Sequence, residues 1–267
     1  MSAAPAPGAG LVALAEIAEA AGRAILTVRR NGFDVVYKED HSPLTQADMA
    51  SHETIVRGLA QHFPGVPILS EEGADLTYAE RARWERLFIV DPLDGTKEFV
   101  KDLGEFCVCI ALAAGGFPAI GAVHVPLWGT TYVGGREHGA FRRSASPDET
   151  GSWRPIAVRQ PDPAGLVVLA SRSHPSPDLE AYLADKKVRE RITAGSALKF
   201  CLVAEGKADL YPRFNPTREW DTAAGQAVLE GAGGSVLRFA NNRPGPRMPV
   251  NKPDLLNGPF LASARPL

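Results

Sequence analysis

The chain is 267 residues long, 45% hydrophobic and 22% charged, with a formal net charge of -2, an ordinary globular balance. No run of Lys or Arg interleaved with aromatics stands out, which argues against nucleic acid as a partner; a small anionic substrate is compatible, because a few cations in a cleft need not alter the net charge. Three cysteines with no Cys-x-x-Cys pair argue against a disulfide framework and for reduced core thiols in the cytoplasm.

The opening MSAAPAPGAG, residues 1–10, is small and rich in Pro and Gly and reads as a flexible tail. It lacks the positive stretch of a signal peptide. The apolar segment after it carries Glu16, Glu19 and Arg23, which argues against a membrane span. Over 11–30, Leu11, Leu14, Ile17, Ala21, Ile25 and Val28 share one stripe and predict an amphipathic helix. ADMASHETIVRGLAQHF predicts a second, stopped by Pro64 and Gly65. VPILSEEG is a short strand running into Glu71 and Glu72, and RLFIVDP a fully buried strand that ends at Asp91. CVCIALAA, AIGAVHVP and TTYVGG form an antiparallel meander. Residues 143–155 are the most linker-like segment, so an N-terminal α+β lobe is expected over 11–150 and a C-terminal α/β lobe over 151–267. In the second lobe the strands LVVLAS, ADLYPRF, SVLRF and FLASA alternate with the helices DLEAYLADKK, SALKFCLVAEG and TAAGQAVLEGAG, a layered α/β pattern.

The chemistry gathers where strands end. Glu71 closes one strand, Asp91 another; Asp94, Gly95 and Thr96 follow at once, and Asp221 precedes a helix. Two ionised carboxylates about 4 Å apart repel by roughly 4 kcal/mol at an effective dielectric near 20. Several together must be protonated, spread apart or bound to a cation. Oxygen donors with no nearby His or Cys pattern favour Mg²⁺ over zinc. Taken singly, Asp-Gly reads as a turn, Asp221 as a helix cap and Ser-Glu-Glu-Gly as a solvated loop. Residues 91–96 together supply two carboxylates, a carbonyl, a turn and a hydroxyl, and Gly95 opens the backbone to an anion. The two-residue gap between Asp91 and Asp94 suits two metal ligands better than a nucleophile and its acid, and points to activated water as nucleophile.

LSEEG, DPLDGTKEF and WDTAAGQAVLEGAGG resemble, in order and spacing, the three signatures of the lithium-sensitive, magnesium-dependent inositol monophosphatase superfamily. Lys97-Glu98-Phe99, SPLTQAD, SRSHP and GSALKFCLVAEGKADLYPRF are similar to its bacterial 3'(2'),5'-bisphosphate nucleotidases. The resemblance spans roughly residues 10–265. It implies a five-layer αβαβα sandwich with the site between two lobes, and two or three Mg²⁺ ions on Glu71, Asp91, the Leu93 carbonyl, Asp94 and Asp221. It implies that Glu71 and Thr96 position the attacking water, with Asp48 supporting Thr96. Leu93, Asp94, Gly95, Thr96, His174, Ser196, Lys199, Arg213 and Asp221 are implied to meet the substrate. Ser196 and Lys199, at i and i+3, are expected on one face at the start of a helix, able to hold an anion together, and Asp221 at a helix start is expected to be held ionised.

The implied reaction is hydrolysis of the 3'-phosphate of adenosine 3',5'-bisphosphate to AMP, with its sulfated analogue as a second target and a link to sulfate assimilation. An inositol or sugar phosphatase, and a catalytically silent nucleotide- or metal-binding sensor, stay open as alternatives. The chain is expected to act in the cytoplasm as a monomer or weak homodimer, without integral membrane association; peripheral attachment at the inner membrane stays compatible with the sequence.

Overall fold

The computed structural model describes residues 6–37, 43–145, 151–160, 162–172 and 176–265. Two helices, Ala9–Asn31 and Gln46–His62, pack on each other and on one face of a seven-stranded sheet. The first buries the stripe Leu11, Leu14, Ile17, Ala21 and Ile25, and it starts at Ala9, so residues 9 and 10 belong to the helix and not to a tail. Thr45 starts the second. Its hydroxyl accepts from the Ala47 N–H at 3.1 Å, while Asp48 Oδ2 accepts from the Thr45 N–H and Oγ1–H at 2.8 Å each. The reciprocal arrangement satisfies donors that a helix start leaves orphaned.

The seven-stranded sheet runs Ile68–Ser70, Arg86–Asp94, Cys107–Ala114, Phe117–Val125, Thr130–Gly135, Gly139–Ser144, Arg154–Ile156, in that order. Only its first pair is parallel; the rest is an antiparallel meander. Side chains sort by period two. Phe88, Val90, Val108 and Ile110 face the two helices. Leu87, Ile89, Cys107, Cys109 and Ala111 face the interior of the molecule. Both faces are covered, which is why these strands read as nearly unbroken apolar runs.

On the inner face lie the helices Leu198–Ala204 and Ala223–Gly231. Glycines allow the second to approach closely: a Cβ on Gly121 would stand 2.9 Å from the Ala224 carbonyl oxygen, and one on Gly134 3.0 Å from Val228 Cα. Beyond the helix pair lies a six-stranded mixed sheet, ordered Val188–Ala194, Leu166–Ser171, Leu210–Arg213, Phe260–Ser263, Ser235–Ala240, Arg243–Arg247. The short helix Pro177–Leu183 covers its far side, where Leu183 packs with Val168, Leu210 and Leu261. Helices, sheet, helices, sheet and helix make the five layers.

The linker-like segment holds a surprise. Arg154–Ile156 pairs antiparallel with Gly139–Ser144 and is the last strand of the first sheet, so that sheet continues past the boundary drawn at residue 150. Cys107, Cys109 and Cys201 are free thiols buried in the middle layer, and burial pushes all three thiols up.

Candidate active site

The parallel pairing of Ile68–Ser70 with Arg86–Asp94 is prolonged by one hydrogen bond, from the Glu71 N–H to the Val90 carbonyl at 3.1 Å, which brings Glu71 abreast of Asp91. An ideal strand would send residues 91 and 94 to opposite faces, because their separation is odd. Here Asp91 pairs with Cys109 and Asp94 with Cys107, three steps against two. The extra residue is a β-bulge, and it turns both carboxylates to one side. Pro92 suits the bulge, having no N–H to leave unpaired. The Leu93 N–H donates to Asp91 Oδ1 at 3.0 Å, and the buried Ser51 hydroxyl donates to the Pro92 carbonyl at 2.6 Å. Gly95 then takes φ 92°, a left-handed conformation that suits glycine, and the short helix Thr96–Val100 begins.

Carboxylate oxygens of Asp91, Asp94 and Asp221 lie within 4.8 Å of one another. Burial first, then the charges of Glu71, Asp94 and Asp221, pushes Asp91 well above the usual carboxylate range. Burial also raises Asp94, against the attraction of Lys199 and the Ala197 N–H. Asp221 is pushed up to about 8, by burial and then by Asp94. These groups resist ionisation where they stand, and a divalent cation among them would remove the conflict. The donors are hard oxygens, with the Leu93 carbonyl beside them, and they fit Mg²⁺. Glu71 lines the same cleft outside the tight trio, and its charge reaches both Asp91 and Asp221.

A cleft of about 230 Å³ opens over the trio. Glu71, Asp91, Leu93, Asp94, Gly95, Thr96, Ser196, Lys199, Arg213 and Asp221 all line it. Asp48 stands behind: its Oδ1 accepts from Thr96 Oγ1 at 3.3 Å, and the Leu93 carbonyl accepts from the same hydroxyl at 3.1 Å. His174 lies outside the described residues.

Two local expectations are corrected. Ser196 and Lys199 do not share the start of a helix, because the helix begins at Leu198. Ser196 sits before it at φ 51° and donates to Cys107 Sγ. The buried Lys199 ammonium donates to the Ser196 carbonyl at 2.7 Å and the Ala194 carbonyl at 3.3 Å, above the Tyr211 ring. Burial brings it down to about 8, against the pull of Asp94. Asp221 does not cap its helix either. Thr222 holds the cap position, while Asp221 Oδ2 accepts from the Arg218 N–H at 2.8 Å, and burial raises its pKa rather than leaving the group readily ionised.

Three contributors have no role assigned from the sequence. Ser51 fixes the bulge. It falls with Asp48, Ile55 and Leu59 on the buried stripe of its helix, and a polar residue on that stripe is the one available signal. Lys97, exposed on the rim, adds a cation to the cleft. Glu105 accepts from the Gly195 N–H at 2.8 Å and from Arg172 in a bidentate pair, both bonds 2.8 Å. It thereby holds the loop whose Ala197 N–H donates to Asp94.

The model of the inositol monophosphatase family matches residues 10–266. The 3'(2'),5'-bisphosphate nucleotidase CysQ of Escherichia coli is 45% identical over 223 residues, which is 83% of this chain and 87% of that protein. Its counterpart in Buchnera aphidicola is 38% identical over 254 residues, 94% of this chain and 92% of that protein. The crystal structure of CysQ from Bacteroides thetaiotaomicron superposes with a TM-score of 0.80 at 39% identity, covering 95% of this chain and 96% of that one. Among the described residues no helix is long and apolar enough to cross a membrane. With the bulged aspartate strand, the converging Asp221 and the five layers all present, the chain belongs to the inositol monophosphatase family.

Proposed function

We propose that the chain is a magnesium-dependent phosphomonoesterase that removes the 3'-phosphate of adenosine 3',5'-bisphosphate to give AMP and phosphate, with the 3'-phosphate of the sulfated analogue as a further target and a place in sulfate assimilation. One observation carries the reading: three carboxylates with little reason to sit together, unless around cations, meet in a cleft that also holds basic groups. Relatedness to the CysQ nucleotidases over most of the chain selects the nucleotide.

Glu71, Asp91, the Leu93 carbonyl, Asp94 and Asp221 would hold two or three Mg²⁺ ions. When bound, magnesium supplies Lewis-acid activation of water and offsets negative charge on the phosphate and the departing 3'-oxygen. The Thr96 hydroxyl has one proton, directed at Asp48 and the Leu93 carbonyl. Its lone pairs are therefore left to accept from the attacking water and aim it in line with phosphorus. Glu71, abreast of Asp91, would take that water's proton, and a proton from solvent would go to the departing 3'-oxygen to complete the hydroxyl. The N–H groups of Gly95 and Thr96 would receive non-bridging oxygens. Ser196 and Arg213 would meet the nucleotide, and Lys199 would add positive potential from behind the Ser196 carbonyl; His174 is assigned to the same task. The enzyme would work in the cytoplasm as a monomer or weak homodimer on a small-molecule substrate.

The test is phosphate release from adenosine 3',5'-bisphosphate, inositol 1-phosphate and a simple phosphate ester, with Mg²⁺, with a chelator, and with Mg²⁺ plus Li⁺. Fastest magnesium-dependent turnover of the bisphosphate supports the reading. Preference for inositol 1-phosphate would replace the substrate, and no release from any of them would refute the enzyme.

A further inference from the structure

The turn that presents Asp221 is built on a buried polar node outside the cleft. Thr217–Arg218 pairs with Leu256–Asn257, and the next residue, Glu219, is fully buried. Its carboxylate accepts from the consecutive N–H groups of Asn251 and Lys252 and from the Lys252 ammonium. Asn251 and Leu255 both adopt left-handed φ, 61° and 56°. Successive N–H groups in such a bend form an anion-binding nest, and here the anion is a side chain of the same chain.

The node reaches Asp221 from both sides. Lys252 Nζ donates to Asn257 Oδ1 at 2.9 Å, and Asn257 Nδ2 donates to the Thr222 hydroxyl at 2.9 Å and the Arg218 carbonyl at 3.0 Å. Thr222 Oγ1 donates in turn to the Glu219 carbonyl at 3.1 Å. Residues 218, 219 and 222, which flank Asp221, are thus all fixed by one amide and one ion pair, in which Glu219 is fully buried and Lys252 partly so. The bend itself is clamped from the other lobe. The buried Arg81 guanidinium donates to Asn251 Oδ1 at 2.7 Å and to the Lys252 and Pro253 carbonyls at 3.2 Å each.

We propose that Glu219 and Lys252 are a positioning pair that sets the reach of Asp221 toward Asp91 and Asp94, and so the affinity of the trio for its divalent cation. The inference rests on reading that trio as the cation site. With Glu219 fully buried and Lys252 partly so, the ion pair adds little general stabilisation, since desolvation of the carboxylate offsets much of its attraction, but it fixes geometry because removing the lysine strands the buried carboxylate.

The experiment is calorimetric titration of Mg²⁺ alone into the nucleotide-free full chain, with melting temperature read in Mg²⁺ and in chelator. Lys252→Met should weaken Mg²⁺ binding by about tenfold or more, the effect usual for lost support behind a metal ligand, and should remove most of the Mg²⁺-dependent rise in melting temperature. Lys252→Arg, which keeps a cation against Glu219, should recover most of the affinity. Arg143→Met, which breaks the ion pair with Glu19 in the outer helix layer, should lower stability and leave Mg²⁺ binding unchanged. A folded Lys252→Met variant with wild-type affinity overturns the proposal, as does equal weakening by Arg143→Met. If Lys252→Met does not fold, Asn257→Ala, which cuts the link to Thr222 and Arg218, is judged by the same criterion. A wild-type chain that binds no Mg²⁺ refutes the cation site itself, an outcome distinct from failure of the pair.

Discussion

Replacing Asp221 by Asn should make the metal-free protein more stable while abolishing its activity. Asn keeps an oxygen to accept from the Arg218 N–H and removes the charge. The folded carboxyl titrates at about 8 against an ordinary 3.8. The folded state therefore holds a proton that the unfolded chain releases, and metal-free stability falls as pH rises from about 3.8 toward 8. At pH 7 the penalty is on the order of 4 kcal/mol, at about 1.4 kcal/mol per pH unit. Coulomb repulsion gives a similar scale: two charges at the 4.8 Å limit of the trio repel by about 3.5 kcal/mol at a dielectric of 20. For a chain of this size, about 2 °C per kcal/mol puts the Asp221→Asn melting point roughly 8 °C above wild type in chelator at pH 7. Added Mg²⁺ should raise the wild type strongly and the variant little, and the gap in chelator should close toward pH 4. Thermal unfolding followed by circular dichroism in both buffers is the assay. A variant less stable than wild type in chelator, or one raised equally by Mg²⁺, would refute the argument.

Ser51→Ala should cost about 1–3 kcal/mol, because the buried Pro92 carbonyl loses its donor, and should lower kcat more than KM; urea titration and steady-state kinetics check both, and unchanged stability would count against the role given to the bulge. Thr96→Ala should lower kcat by roughly a hundredfold or more, while Thr96→Ser, which keeps the hydroxyl, should retain most of it; equal losses would exclude water positioning by that oxygen. His124, paired with Thr131 and buried, is pushed down to about 4, by burial first and against the pull of Glu19. The unfolded chain thus takes up that proton first, so stability is complete above about pH 6.5 and declines by about 3 kcal/mol toward pH 4. His124→Asn should flatten that limb in urea titrations at stepped pH. Glu19 is itself opposed by burial but held below its usual range by Arg143 and Thr131, so its contribution is lost further down the acid range.

The elements with strong internal periodicity are legible in the sequence alone. The stripe from Leu11 to Ile25, the unbroken run Leu87–Val90 and the meander after Cys107 each declare their partners through burial, and each stands where the pattern puts it. Charged and proline-bearing edges are not. Val188–Ala194 alternates Arg and Glu, and Arg243–Arg247 contains two prolines; both lie at the margins of the six-stranded sheet, where such residues discourage further pairing and erase the apolar signal. Arg154–Ile156 is short and mostly exposed, so it read as linker. The acidic residues of the cleft were legible because carboxylates at strand ends need an explanation. Their supports were not, since Ser51, Glu105 and Glu219 look like ordinary polar residues until the chain brings them under the loops they hold.

The glycine seam between the seven-stranded sheet and the helix Ala223–Gly231 has a bearing on evolution and engineering alike. Asp91 and Asp94 ride on one side of that seam and Asp221 on the other, so the seam works as a caliper whose jaws are the two halves of the acidic trio. A single methyl at Gly121, where the Ala224 carbonyl stands 2.9 Å from the added carbon, would open the jaws at a remove from every acidic group. Damage there should surface as weakened hold on magnesium before it surfaces as a misfolded chain, and screens that score only expression would overlook it.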